Sequence, residues 1–277
     1  MRYLFQPKEE LALKGLLLPQ HEGIRAALLE GPPGCGKTAL TRAVSERLGS
    51  PYVYGLLHSW TDADELFVGI NVPAAVAGEA DHVRQDGLLA VAARLSMSAS
   101  VEAPVVLCLD EVDKVQERTE NLLLDFLQTG RVPVRPGEHL QARTEALLVF
   151  LTSNGTRPLS DPLLRRVRRV RMDPLPVDLQ DRVVLETTGA PASVVTTVAK
   201  AAREAAKTEG NPHLSVQEVS HAVREAWEIA QSVEDLREVV AAWACRTQAG
   251  ATAVLSGKIN LCPVWAEIVA ARRRKVQ

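Results

Sequence analysis

Four cysteines, Cys35, Cys108, Cys245 and Cys262, are all that 277 residues contain. They lie scattered, without a C-x-x-C pair or any Cys/His spacing suited to zinc, so reduced thiols are the expectation. Aromatic residues make up only 4% of the chain; Ala, Val and Leu dominate instead, a composition that suits helices packed on a parallel sheet. No excess of one charge exists either: the net charge of -2 gives no global pull toward nucleic acid or an anionic membrane. No stretch approaches the roughly 20 apolar residues that span a bilayer. The leucine-rich start, Met1 to Leu18, is interrupted by Lys8, Glu9, Glu10 and Lys14, so it forms no signal-peptide core. A cytoplasmic protein without membrane insertion is expected. Low-complexity tracts and internal repeats are also missing.

Against this background stands Gly31-Pro32-Pro33-Gly34-Cys35-Gly36-Lys37-Thr38, which fits G-x-x-x-x-G-K-[ST]. Small residues let the backbone curl so that several N–H groups point at a phosphate, and the helix that follows, beginning near Ala39, adds its positive dipole end. Lys37 then supplies a point charge to the β- and γ-phosphates of a nucleotide, and the Thr38 hydroxyl one coordination place on Mg²⁺. The flanks agree. Arg25 to Glu30 reads as a short buried strand entering the loop, and Thr38 to Leu48 as a helix with Leu40, Val44 and Leu48 on one face, stopped by Gly49. Cys35, at a helix start, has the placement that lowers a thiol pKa; a small residue that fits the loop is the favoured reading.

A second apolar run, Pro104 to Leu109, ends abruptly in Asp110-Glu111, as a buried parallel strand delivers acids to the ligand-binding edge of an open sheet. Asp110 is expected to hold Mg²⁺ through water and Glu111 to polarise an attacking water. A third run, Leu147 to Asn154, again ends in polar residues. Asn154 can reach a γ-phosphate or the lytic water, and Asn154-Gly155 is also a turn signal in its own right. Then come five arginines in the seven positions 165–171. Such a run reads first as a solvated or salt-bridged face, with Val167 and Val170 suggesting a strand edge. An arginine here could also serve as a finger inserted from a neighbouring subunit, worth about 10³ to 10⁵ in rate for other phosphoryl-transfer enzymes.

After Asp173-Pro174-Leu175-Pro176 the sequence becomes alanine-rich and helical, with a break at Gly210-Asn211-Pro212 and a capping box at Ser215 to Glu218 opening an amphipathic stretch through Val219, Val223, Trp227 and Ala230. The expected organisation is an α/β nucleotide-binding domain over 1–174, a parallel sheet flanked by helices, followed by a small all-helical lid domain over 175–277. The basic tail Arg272 to Lys275 reads as a frayed, solvated end.

The order of these pieces resembles the AAA+ ATPases, and within them the MoxR-like branch, over roughly residues 12–175. Beyond the loop and the Leu109-Asp110-Glu111 strand, the likeness rests on Thr61-Asp62-Ala63-Asp64-Glu65-Leu66, Asp86-Gly87-Leu88-Leu89, Val134-Arg135-Pro136, Leu151-Thr152-Ser153-Asn154 and Asp161-Pro162-Leu163-Leu164-Arg165-Arg166. The resemblance implies that Asp110 and Glu111 form the Walker B pair, that Asn154 is the sensor 1 residue, and that Arg166, or Arg165 in the alternative register, is the trans-acting finger. It implies an inserted element near Asn71 to Arg84 and a hairpin over Thr129 to Thr144, both usually facing a ring pore. In many relatives the lid carries a sensor 2 arginine; here Val216 and Gln217 stand at the comparable position, and Arg224 lies two turns later, so sensor 2 stays unassigned.

The resemblance thus implies a Mg²⁺-dependent ATPase in a homo-oligomeric ring, hexameric by analogy, that remodels or activates a client or adaptor protein, often one with a von Willebrand A domain. The competing reading is a nucleic-acid motor or loader on the same core, supported by the arginine cluster and basic tail and opposed by the near-neutral charge. A small-molecule kinase is a third class. GTP is disfavoured as substrate because no Asn-Lys-x-Asp element occurs.

Overall fold

The computed structural model describes residues 3, 5–18, 23–78, 84–135, 137–210 and 213–276. It divides into two compact units. One comprises Arg2–Pro32 and Gly36–Met172; the other comprises Asp173–Gln277, with Pro33–Cys35 assigned to it.

The first unit opens with α1 (Pro7–Leu16), β1 (Arg25–Glu30), α2 (Lys37–Leu48) and β2 (Tyr52–Leu56). It continues through α3 (Ala63–Leu66), β3 (Val68–Ile70), α4 (Val72–Ala77), β4 (Arg84–Asp86), α5 (Leu88–Ser96) and β5 (Val105–Asp110). It closes with α6 (Glu117–Thr129), β6 (Arg131–Arg135), β7 (Glu138–Gln141), β8 (Leu147–Ser153), α7 (Asp161–Leu164) and β9 (Arg168–Arg171). Five strands form one sheet in the order β2-β5-β8-β1-β9, with every pairing parallel. Parallel strands need helices over both faces, which is why the central strands read as continuous apolar runs. All seven residues of β8 are buried, as are the first five of β1 and of β5. The sheet core joins Leu28, Leu107, Leu109, Val149 and Leu151 to Leu89, Leu123 and Phe126 of α5 and α6.

Because the strands are parallel and in register, their carboxyl ends lie together: Glu30 of β1 pairs with Ser153 of β8, and Leu109 of β5 with Leu151 of β8. The loop after β1, Asp110-Glu111 after β5 and Asn154 after β8 therefore emerge at one edge, as the sequence predicts. The two excursions inferred from the resemblance are small antiparallel hairpins beside the main sheet. One pairs β3 with β4 and carries α4; the other pairs β6 with β7. Val167 is buried and Val170 sits in β9, the edge strand.

The second unit is helical: α8 (Val177–Thr188), α9 (Ala192–Thr208), α10 (Val216–Glu228), α11 (Val233–Ala244), α12 (Gln248–Leu255) and α13 (Cys262–Val276). The Ser215 hydroxyl accepts from Glu218 N–H at 3.1 Å while the Glu218 carboxylate accepts from Ser215 N–H at 2.6 Å, the expected capping box. Val219, Val223, Trp227 and Ala230 are buried as predicted, the first three in one cluster with Val198, Ala202, Leu236, Val240 and Ile268. Helix α9 stops at Thr208; of the predicted break, Asn211 and Pro212 lie outside the described residues.

The basic tail differs from expectation. Arg272 lies inside α13, and its guanidinium donates to the carbonyls of Trp227 at 2.5 Å and Ala226 at 3.2 Å, in the last turn of α10, and to that of Ala230 at 2.8 Å, just beyond it. Its planar head lies over the Trp227 and Trp265 rings, 5.7 and 5.6 Å from their centroids. Part of what reads as a solvated tail is thus a helix cap, legible only once α10 and α13 are known to meet.

Candidate active site

The glycine-rich loop needs backbone angles that side chains resist. Gly34 has φ 77° and Gly36, the residue before α2, has φ 95°, both in the left-handed region where glycine alone is unstrained. Cys35 between them is buried, in keeping with the small-residue reading. Gly31 is half-buried; Pro32 and Pro33 are exposed. Lys37 starts α2 and is only 7% exposed. Its ammonium donates to the Gly31 carbonyl at 2.7 Å, the Pro32 carbonyl at 3.0 Å and Asn154 Oδ1 at 2.7 Å. Thr38, one residue on, is half-buried, and Ala39 is exposed at the first turn.

Asp110 and Glu111 meet this loop from β5. Asp110 Oδ2 accepts from the Thr38 hydroxyl at 3.0 Å and from the Tyr54 phenol at 3.0 Å. Asp110 Oδ1 accepts from the Thr152 hydroxyl. That same hydroxyl takes the Glu111 backbone N–H at 2.9 Å, so one buried side chain on β8 braces both acids. The brace matters because Glu111 has φ 59°, the one non-glycine residue with positive φ among the described residues. A non-glycine residue held there costs about 1–3 kcal/mol and persists only where its surroundings fix it.

The Glu111 carboxylate is held at both oxygens: Oε1 accepts from Asn154 Nδ2 at 3.0 Å and Oε2 pairs with Lys114 Nζ at 2.7 Å. Asn154 thereby links Lys37 to Glu111, and Gly155 after it takes φ 74°, so the turn reading holds as well. Burial, then the Asp110 carboxylate beside it, pushes the Tyr54 phenol up to about 12, which keeps it a proton donor.

Thr38 and Asp110 present two hard oxygen ligands within 3.0 Å of each other. That donor set fits Mg²⁺, which takes one or two protein oxygens and completes its shell with waters and substrate phosphates. Among the described residues no cluster of three His, Cys, Asp or Glu could hold an ion by itself.

Arg165 and Arg166 lie elsewhere. Both are exposed and line an open recess of about 520 Å³ with Gly23, Ile24 and Gln128, next to the amino end of β1. Arg166 donates to the Pro162 carbonyl at 3.0 Å and Gln128 Oε1 at 2.7 Å. The glycine loop leaves the other end of β1, so at about 3.3 Å per residue the two features are separated by more than 10 Å. Of the remaining cluster, Arg169 forms a two-pronged pair with Glu30 at 2.9 and 3.1 Å. In the helical unit, exposed Arg224 donates to the Thr187 carbonyl at 3.1 Å.

More than half of the chain, residues 26–167, matches the AAA domain of the dynein-related subfamily. The chain belongs to that family. An AAA domain is a nucleoside triphosphatase module, and the phosphate loop and paired acids fall inside the matched span. This AAA domain is similar to the ATP-dependent zinc metalloprotease YME1L1 of Mus musculus, 34% identical over 115 residues, 42% of this chain and 12% of that protein. It is also similar to the proteasome-associated ATPase of Rhodococcus erythropolis, 25% identical over 150 residues, 53% of this chain and 24% of that one. The chain thus spans a quarter or less of the length of these two relatives. In fold it matches a Thermotoga maritima RuvB mutant at 16% identity and TM-score 0.51, covering 84% of this chain and 67% of that one.

Sequence reasoning missed Thr152, Tyr54 and Lys114 in this AAA domain. Thr152 carries a signal, being a hydroxyl within an apolar strand two positions before Asn154 and so on the same face. Tyr54 carries none, because its reach to Asp110 depends on the pairing of β2 with β5.

Proposed function

We propose that the chain is a MoxR-like, Mg²⁺-dependent AAA+ ATPase that works in a ring, hexameric by family analogy, and uses hydrolysis to remodel or activate a partner protein. The observation that carries this reading is the separation between the two halves of the chemistry. Lys37, Thr38, Asp110, Glu111 and Asn154 converge on one edge of the sheet, while Arg165 and Arg166 stand at the opposite end of β1. A guanidinium so placed cannot reach its own phosphate loop. In a head-to-tail ring it faces the loop of the next subunit.

In this scheme the loop amides and Lys37 hold the triphosphate of ATP. Thr38 and, through water, Asp110 would hold Mg²⁺, which would supply positive charge against the phosphates. Glu111, released from Lys114, takes a proton from water as its oxygen bonds to the γ-phosphorus, and ADP departs with the bridging oxygen. Asn154 orients the water, and the neighbour's Arg166, or Arg165 in the alternative register, offsets charge on the transferring group.

The β3-α4-β4 and β6-β7 excursions support the MoxR-like assignment, since that branch carries elements at both places. A client or adaptor protein, such as one with a von Willebrand A domain, is the expected partner. Cysteines outside disulfides suit a cytoplasmic setting, and among the described residues no helix is long and apolar enough to cross a membrane. The nucleic-acid reading loses two supports, because Arg169 is paired with Glu30 and Arg272 caps α10.

ATPase rate per subunit, measured against protein concentration alongside mass with and without ATP, tests the proposal. The expected outcome is a specific rate that climbs with concentration and a mass that grows with ATP. A flat rate from a monomer would overturn it.

A further inference from the structure

Two carboxylates near the site take no part in the scheme above, although they are almost wholly buried: Asp113 is 2% exposed and Glu120 1%. A buried carboxylate is strongly unfavourable unless donors surround it. Here the donors all come from one stretch, the segment between Asn154 and α7. Asp113 accepts from Asn154 N–H at 3.4 Å, Thr156 N–H at 2.8 Å and the Thr156 hydroxyl at 2.7 Å. Glu120 accepts from Ser160 N–H at 2.8 Å and Arg157 Nη2 at 2.8 Å. Arg157 also donates to the Val115 carbonyl through Nη2 at 2.9 Å and Nε at 3.2 Å.

The segment so fastened has few internal bonds. Its one helix, α7, is four residues long; the Ser160 hydroxyl accepts from Leu163 N–H at 3.4 Å and the Ser160 carbonyl from Leu164 N–H at 3.0 Å. The two residues that follow α7 are Arg165 and Arg166. Whatever fixes Ser160 therefore fixes the point from which the exposed arginines project, and the residue that grips the Ser160 N–H is Glu120. The other end of the strap begins at Asn154, beside Glu111.

We propose that Glu120 and Arg157 are positioning residues for the trans-acting arginine: they hold the 157–160 end of the strap, away from Asn154, so that Arg166 is presented at a fixed place to the neighbouring subunit. This rests on the reading of the chain as a ring ATPase. A hydrogen-bonding role of this kind predicts damage to the neighbour's site and not to the subunit's own, which separates it from a general contribution to the core.

The test is subunit mixing with the full chain. Glu120→Gln keeps the side-chain volume and leaves the Arg157 guanidinium without its carboxylate. Alone, it is expected to bind a fluorescent ATP analogue within about twofold of wild type and to turn over at least tenfold more slowly. Mixed one to one with Lys37→Ala, which lacks nucleotide affinity but offers an intact arginine, it should recover several-fold activity per Glu120→Gln subunit. Arg166→Ala mixed with Lys37→Ala is the control. Recovery in the control without recovery for Glu120→Gln overturns the positioning role alone, as does a wild-type rate for Glu120→Gln by itself. No recovery in either mixture overturns the trans-acting arginine and the proposal with it. If Glu120→Gln fails to fold, Arg157→Met decides by the same mixtures, since Arg157 lies nearer the surface, 30% exposed at its side chain.

Discussion

At its carboxyl end β1 runs into a cluster in which Lys37, Thr38, Asp110, Glu111, Thr152 and Asn154 bind one another through hydrogen bonds. At its amino end Arg165 and Arg166 face an open recess of about 520 Å³, and the recorded partners of Arg166 are one side-chain amide and one carbonyl. The first end is closed on itself. At the second, no acid among the described residues forms an ion pair with Arg165 or Arg166. On the proposed reading the comparison teaches that one AAA domain carries two half-sites, one preorganised within the chain and one left for a neighbour.

Breaking the open end should have the largest effect. Arg166→Ala is expected to bind ATP normally and to lose about 10³ to 10⁵ in turnover, read by steady-state ATPase assay beside nucleotide titration. Turnover within tenfold of wild type would shift the role to Arg165 or remove the finger altogether. At the closed end, Glu111→Gln removes the proposed base while keeping its shape, for an expected loss of about 10² to 10⁴ in turnover with ATP still bound; a stable ATP-bound assembly should accumulate, measurable by mass.

Thr152→Val sharpens the contrast at smaller cost. It leaves the Glu111 N–H and one Asp110 oxygen without their partner, at about 1–3 kcal/mol of stability, visible as a fall of several degrees in melting temperature. The smallest effect is expected for Tyr54→Phe, which removes one of two hydroxyl donors to Asp110 Oδ2. The Mg²⁺ concentration for half-maximal nucleotide binding should rise by about three- to tenfold, in line with one hydrogen bond, without a change in melting temperature. An unchanged Mg²⁺ requirement would mean that the phenol contact is incidental.

The closed end was largely legible because each part is local in sequence. A loop motif, a run ending in two acids and a run ending in Asn154 each declare themselves, and parallel strands bring their carboxyl ends together without further information. What stayed hidden depends on pairing between distant elements. The reach of Tyr54 to Asp110 needs the register of β2 against β5. The grip of Glu120 on Ser160 needs α6 packed beside the strap, and the capping by Arg272 needs α13 against α10. In the arginine run the charge is plain from the residues, but the pairing of Arg169 with Glu30 and the exposure of Arg165 and Arg166 depend on how β9 lies against β1.

The hydroxyl of Thr152 has one further implication. It donates to Asp110 and receives from the Glu111 backbone, so on the proposed reading it is a shared pivot between the acid that would hold the ion and the acid that would polarise water. On that reading a change at position 152 reaches both at once, so ion affinity and cleavage rate are expected to move together, whereas substitutions on the far sides of the pair, at Tyr54 or Lys114, would adjust one without the other.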